Sequence, residues 1–490
     1  MNKGSVGAGA NRYVILATCC LSLLLVTMDV TIVNVALPAI RKDLGASVGG
    51  LQWSIDGYTL VVACFLMLAG SLADRHGRRR TFQAGLLLFS LGSLLCSLAP
   101  STPLLVAFRV VQALGGAMLN PVAMSIIVNT FTDPRERARA IGVWGAVFGI
   151  SMALGPVVGG FLTLHVGWRS IFWINVPIGL LAILLAARFV PESRAAKARR
   201  ADPVGQLLLV GLLASLTSGV IEGRRLGWGS PVIVASFAIA AASLALLLAY
   251  EKRRSEPLVD LRFFRSIPFA MATLVAVIAF ASLSGFLFLN SLYLQDARGL
   301  NPSEAGMCTL PLAAALVVCS PISGRLVGAG HVRLALTVAG TAIAAAALLL
   351  VDLRNDTPLA KLLVAYSVFG IGFGMVNAPI TFTAVSGMPR AQAGVAAATA
   401  STSRQVGASL GVAVAGTLAG EGIRVPHSAA FAAATHPVFW LTVGYGVTIV
   451  FLGVLSTSQR ARKSAQSIAP LLEDGLPEES VAAQAQLALQ

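Results

Sequence analysis

Residues 13–37 read YVILATCCLSLLLVTMDVTIVNVAL, an apolar stretch whose one charge is Asp29. At 1.5 Å per residue, a helix of this length crosses the roughly 30 Å of bilayer hydrocarbon. Backbone in lipid must satisfy its own hydrogen bonds, so the stretch reads as a spanning helix. It is too long, and too closely followed by similar stretches, to be a cleaved signal peptide. A carboxylate inside such a helix costs roughly 2.5–3.5 kcal/mol on insertion scales, so its presence points to work that needs it.

The rest of the chain repeats the pattern. Of its 490 residues, 56% are hydrophobic and only 12% charged, about half the charged share typical of soluble domains. Fourteen apolar segments are long enough to span: 13–37, 51–72, 82–99, 103–128, 139–162, 170–188, 204–222, 231–250, 268–294, 303–324, 334–351, 359–382, 392–418 and 437–457. The net charge of +15 does not signal nucleic acid. With both termini cytoplasmic, the inside segments hold 25 of the 36 Lys and Arg and the outside loops 9, which is the positive-inside pattern. The six cysteines all lie within spans and show no metal-ligand or disulfide spacing, so no metal is implied.

These segments predict an all-α polytopic membrane protein. Segments 204–222 and 231–250 lie between two basic linkers and read as a hairpin inserted between two six-helix bundles. The expected organisation is a first bundle over 1–190, linkers and hairpin over 191–267, a second bundle over 268–457, and a disordered cytoplasmic tail over 458–490. Parallel six-span halves with a site at their interface are a known transporter architecture.

Few charges lie deep. Counting along each span puts Asp29 about 12 Å, Asp56 about 8 Å and Arg109 about 9 Å from the outer ends. Two carboxylates and a guanidinium thus occupy one layer, where they are expected to face a shared cavity and exchange protons. Gln112, one turn from Arg109, is placed to join that network. Arg404 is the remaining deep charge, assignable to substrate or to structure. Met118, Trp144, Phe148, Met152, Phe286, Phe369 and Phe373 lie on spans expected to line the centre, with Asn34, Asn290 and Asn377 as polar candidates. Flexible and aromatic side chains suit varied apolar ligands and cations.

GSLADRHGRRRTF (70–82) joins the second and third spans. Gly70 and Gly77 allow close approach and a tight turn. Asp74 can pair with Arg78, giving with Arg75 a latch for one conformation. GISMALGPVVGG (149–160) places Gly149, Gly155, Pro156, Gly159 and Gly160 on one kinked, close-packing helix suited to a pivot.

The loop resembles the signature of the major facilitator superfamily. LLVAFRVVQALGGA (104–117) resembles its fourth-span motif, with Ala113 where a glycine is usual. GISMALGPVVGG resembles its antiporter motif. MDVTIVNVALPAI (28–40), GWRSIFWINVPIG (167–179) and RQVGASLGVAVAGT (404–417) narrow the resemblance to the fourteen-span drug:proton antiporter-2 branch, the EmrB/QacA type. That resemblance implies proton-driven export of lipophilic, often cationic, compounds across the bacterial cytoplasmic membrane, with Asp29 and Asp56 at the branch's acidic positions. A dedicated exporter of one metabolite or self-made antibiotic is the alternative, and a non-transporting receptor or sensor a more distant one. A periplasmic adaptor is left open. ATP-driven transport lacks a phosphate loop, and five histidines at loop and span-end positions supply no catalytic constellation.

Overall fold

A computed structural model of the chain describes residues 5–194, 202–254, 257–389, 392–420, 422 and 429–473. Residues 195–201 and 255–256 of the basic linkers, and 474–490 of the tail, lie outside the described residues.

The first group of helices comprises α1 (Ser5–Leu44), α2 (Val48–His76), α3 (Arg78–Ser97), α4 (Thr102–Thr130), α5 (Pro134–His165), α6 (Ser170–Trp173) and α7 (Asn175–Phe189). The hairpin is α8 (Pro203–Leu226) and α9 (Pro231–Glu251). The second group comprises α10 (Ile267–Leu292), α11 (Pro302–Cys308), α12 (Leu310–Gly328), α13 (Val332–Leu348), α14 (Leu359–Val385), α15 (Ala393–Ala419) and α16 (Ala429–Ser456), followed by α17 (Gln459–Glu473). Helix starts follow local chemistry. Ser47, Asp133, Asp202 and Ser230 accept backbone N–H bonds at the heads of α2, α5, α8 and α9, and Asn301 with Glu304 forms a capping box on α11.

A helix occupies each expected segment, and eleven helical stretches among the described residues are long and apolar enough to cross a membrane. The helices α3, α13 and α15 fall outside that group. In α3 the arginines at its head and Gln83 lower the hydropathy, and in α15 Arg404, Gln405 and many small residues do; the small residues of both helices also permit close packing. A side chain at Gly92 of α3 would strike the Gln112 backbone, and at Gly407 or Gly411 of α15 the carbonyls of Val277 or Ala281 on α10. The helix α13 is short at 17 residues and meets α16 through Gly340 and Gly446.

The starts of α1 and α10 share one end of the bundle, called here the terminal end. At the opposite, far end the two groups are bonded together. Gln52 Nε2 donates to the carbonyls of Val412 (3.2 Å) and Ala413 (2.8 Å), and Gln295 Nε2 to Val35 (2.8 Å). Arg41 and Asp296 form a half-buried ion pair at 3.3 Å. Toward the terminal end, Gly142, Gly145, Gly324, Gly328 and Gly394 have open space where a side chain would stand.

The hairpin lies over the α2–α15 seam. Gln206 Nε2 donates to Cys64 O (2.8 Å) on α2, while Thr417 Oγ1 of α15 donates to Val220 O (2.9 Å). The tail departs from expectation: its first part is the helix α17 rather than disorder. Ala461, Ala465, Ile468 and Leu472 recur at helical spacing and are buried, and Ser464 Oγ accepts from Ile267 N (3.0 Å). That stripe was hidden by the polar composition around it.

Candidate functional site

The antiporter-like segment of α5 presents two faces. Side chains at Gly155 and Gly159 would run into Thr31 and Ile32 of α1. On the other face, a side chain at Gly149 would touch Val317 and Leu316 of α12, one at Gly160 would strike the Pro302 carbonyl, and one at Gly306 of α11 would strike the Pro156 carbonyl. The segment is thus the surface on which the two groups close at the far end.

Asp29, Arg109 and Gln112 meet in one network, which is fully buried rather than facing an open cavity. Arg109 Nη1 donates to Asp29 Oδ2 at 2.5 Å and to Gln112 Oε1 at 2.7 Å, and its Nε donates to Ser54 O at 3.0 Å. The other carboxylate oxygen, Asp29 Oδ1, accepts from Gln112 Nε2 (2.8 Å) and Asn175 Nδ2 (3.1 Å). Ser93 Oγ receives the second bonds of Gln112 and Asn175 at 2.7 and 3.3 Å. The Tyr58 ring covers the guanidinium at 4.3 Å, a desolvated cation–π contact. Both oxygens of Asp29 and three N–H groups of Arg109 are thereby engaged.

Asp56 does not share this site. It shares the depth, but it follows Ser54 by two residues, about 200° around the helix. Ser54 and Tyr58 turn to Arg109, while Asp56 turns toward Ser409 of α15 at the seam between the groups. Depth along a helix does not fix which way a side chain faces. Asp56 is fully buried; Oδ1 accepts from Thr59 Oγ1 (3.3 Å), and Oδ2 has no hydrogen-bond partner.

The expected substrate residues divide. Asn34 and Asn290 line one small cavity between α1, α5, α10 and α11; Asn34 Oδ1 has no partner there, whereas Asn290 Oδ1 accepts from the Tyr366 hydroxyl. Phe286, Phe369 and Phe373 are core residues instead: Phe286 stacks on Phe369 at 4.7 Å, and Phe373 meets Phe280 edge-on at 5.1 Å. Met118 abuts Gly85 of α3, Trp144 packs on the first group's core, and Phe148 and Met152 join the core linking the groups. Asn377 bonds through its carbonyl to Thr381 Oγ1 at 3.3 Å. Arg404 Nη2 donates to Thr381 Oγ1 (2.5 Å) and Nη1 to Ser401 Oγ (3.3 Å), with the Phe280 ring 6.0 Å from the guanidinium carbon.

In the loop, Arg78 Nη2 pairs with Asp74 at 3.3 Å, Arg75 is exposed, and Gly70 is half-buried in open space. Gly77 takes φ +107°, and Glu192 holds the loop by accepting from Arg79 N (3.1 Å) and Arg80 N (3.3 Å). Sequence reading missed Asn175, Ser93, Tyr58 and Glu192. Asn175 alone left a signal, a side-chain amide inside the apolar run FWINVPIG.

The profile described as Major Facilitator Superfamily matches residues 19–412. Multidrug resistance protein Stp of Mycobacterium tuberculosis is 38% identical over 398 residues, 81% of this chain and 74% of that protein. The tetracenomycin C resistance and export protein of Streptomyces glaucescens is 37% identical over 396 residues, 81% of this chain and 73% of that one. A methylenomycin A resistance protein of Bacillus subtilis is 33% identical over 425 residues, covering 85% and 90%. Among solved structures, a D-xylose–proton symporter superposes with a TM-score of 0.65 at 13% identity over 91% of this chain and 97% of that one, a likeness of fold alone.

Proposed function

The chain belongs to the Major Facilitator Superfamily, and from that premise we propose that it is a fourteen-span drug:proton antiporter of the EmrB/QacA type. It exports lipophilic, drug-like compounds by alternating access, with the terminal end and both termini in the bacterial cytoplasm. The names of its relatives, multidrug resistance and antibiotic export proteins, support this reading. A dedicated exporter of one metabolite or self-made antibiotic is the second reading, favoured by relatives named for a single antibiotic.

The observation that carries proton coupling is the contrast between the two buried aspartates. Protonating Asp29 would strand Arg109 without its counter-charge. Protonating Asp56 removes an uncompensated charge and gives its partnerless oxygen a hydrogen to donate. Asp56 also lies on the α2–α15 seam, which must open when the far end opens, so its exposure changes with the cycle. Asp56 is therefore the proton carrier, and Asp29 the residue that fixes Arg109. With Asp56 protonated, the far-end seal can close without a buried charge; release of the proton toward the terminal end readies the site for substrate. The rocking surface is the α5 face against α11 and α12.

Inside-out vesicles with an imposed proton gradient test this, using a panel of lipophilic drugs. The wild type should dissipate the gradient when a substrate is added, and Asp56→Asn should not, though it still binds the compound. Coupling that survives in Asp56→Asn sinks the assignment. Responses confined to one compound would favour the dedicated exporter.

A further inference from the structure

The second group of helices carries one deep charge, Arg404, and nothing of opposite sign to meet it. Helices α10, α12, α13, α14, α15 and α16 contain no Asp or Glu at all. Among the described residues Arg404 makes no ion pair; two of its five N–H groups reach the hydroxyls of Thr381 and Ser401, and its Nε–H is buried with no partner. An uncompensated guanidinium within a span is expensive, and such charges characteristically face a bundle interior or a substrate path.

Its surroundings define a shape. Gly407, one turn along α15 on the same face, presses against the Val277 carbonyl, so this face of α15 lies on α10. That brings the guanidinium beside Phe280, whose ring rests edge-on against buried Phe373. Thr381 is exposed, and Gly394 at the start of α15 has open space around it. The result is a half-buried cation with unused donors beside an aromatic face, bonded to the exposed Thr381 hydroxyl.

We propose that Arg404 and Phe280 form a subsite for an organic anion, a carboxylate or acidic enolate attached to an aromatic or apolar body. The guanidinium fork matches a carboxylate with two parallel hydrogen bonds, and the Phe280 ring receives the apolar body. A cationic compound meets like charge here, with no acid in α10, α14 or α15 to offset it. This deepens the exporter reading and rests on it for the direction of transport, but binding selectivity can be read without any flux.

The test uses the purified full chain and three isosteric probes followed by their own fluorescence: 2-naphthoate, 2-naphthamide and 2-(aminomethyl)naphthalene. The wild type should bind the naphthoate at least about tenfold more tightly than the ammonium compound, since a charge-assisted hydrogen bond is worth about that factor or more. Arg404→Gln should remove the preference for naphthoate while leaving naphthamide binding within about twofold, and Arg404→Lys should restore part of it. No naphthoate binding by the wild type, or a preference for the ammonium compound, overturns the proposal. So does an equal weakening of all three probes in Arg404→Gln, which would make the residue structural, and so would loss of naphthoate preference in Asp56→Asn alone, which would assign the selectivity to the seam. Failure of proton coupling in vesicles leaves these binding outcomes untouched.

Discussion

Asp29 Oδ2 lies 2.5 Å from Arg109 Nη1, and the pair is closed to solvent on every side. Four helices contribute hydrogen-bonding side chains to it, α1, α4, α3 through Ser93 and α7 through Asn175, and α2 adds the Tyr58 ring over the guanidinium. Removing one partner of such a buried pair leaves the other charge uncompensated, at a cost of about 3–5 kcal/mol. Asp29→Asn should therefore lower the thermal midpoint of the detergent-purified protein sharply, whereas Asp56→Asn, which deletes no ion pair, should leave it unchanged or raise it. Equal midpoints for Asp29→Asn and wild type would mean the pair contributes little to the fold.

Asn175 is the smaller test of the same network. Its Nδ2 bridges Asp29 Oδ1 and Ser93 Oγ, and a hydrogen bond to a charged group contributes about 1.5–3 kcal/mol. Asn175→Leu fills similar volume without the donor. It should lower stability measurably, by less than Asp29→Asn, and the double variant should fall short of the sum because the two residues share one bond. Additive losses in a double-mutant cycle would show that they act independently.

What could be read in advance follows from which interactions are periodic. Helix positions were legible because a stretch such as 13–37 must be helical once it is in lipid. Arg109 and Gln112 were legible as a pair because they are three apart on one helix. The separation of Asp56 from Asp29 was not, because it depends on how α2 is rotated against α4, and only packing sets that. Phe286, Phe369 and Phe373 were misplaced for the same reason: an aromatic on a central helix can face a cavity or a neighbour, and here Phe286 and Phe369 face each other while Phe373 faces Phe280. Glu192 was invisible because its work is to bind backbone N–H groups more than a hundred residues away.

Gly77 joins that distant contact to the signature loop. Its φ of +107° with ψ of 141° is a conformation left almost entirely to glycine, and a Cβ there would meet the Glu192 carboxylate. Gly77→Ala should cost about 1–3 kcal/mol through backbone strain alone. Gly70, with open space around it, should accept alanine at little or no cost. Thermal unfolding of the two variants side by side checks the contrast; similar losses would shift the importance of the loop from its turn to its helix packing.

The far-end seal gives the sharpest functional test. Gly160 of α5 lies against the Pro302 carbonyl, and Gly306 of α11 against the Pro156 carbonyl, so backbone meets backbone across the two groups. No side chain can be inserted there without moving one group from the other, since a carbonyl cannot rotate aside as a flexible side chain does. Gly160→Val should hold the far end apart and favour the opposite, far-end-open state. Asn34, which lines the cavity just inside this contact, supplies the reporter. With the six native cysteines replaced by serine, an Asn34→Cys chain should react slowly with a membrane-impermeant maleimide added on the far side, and the Gly160→Val background should speed that labelling several-fold while turnover falls. Unchanged labelling with lost turnover would place the role of Gly160 in the packing of α5 rather than in the seal.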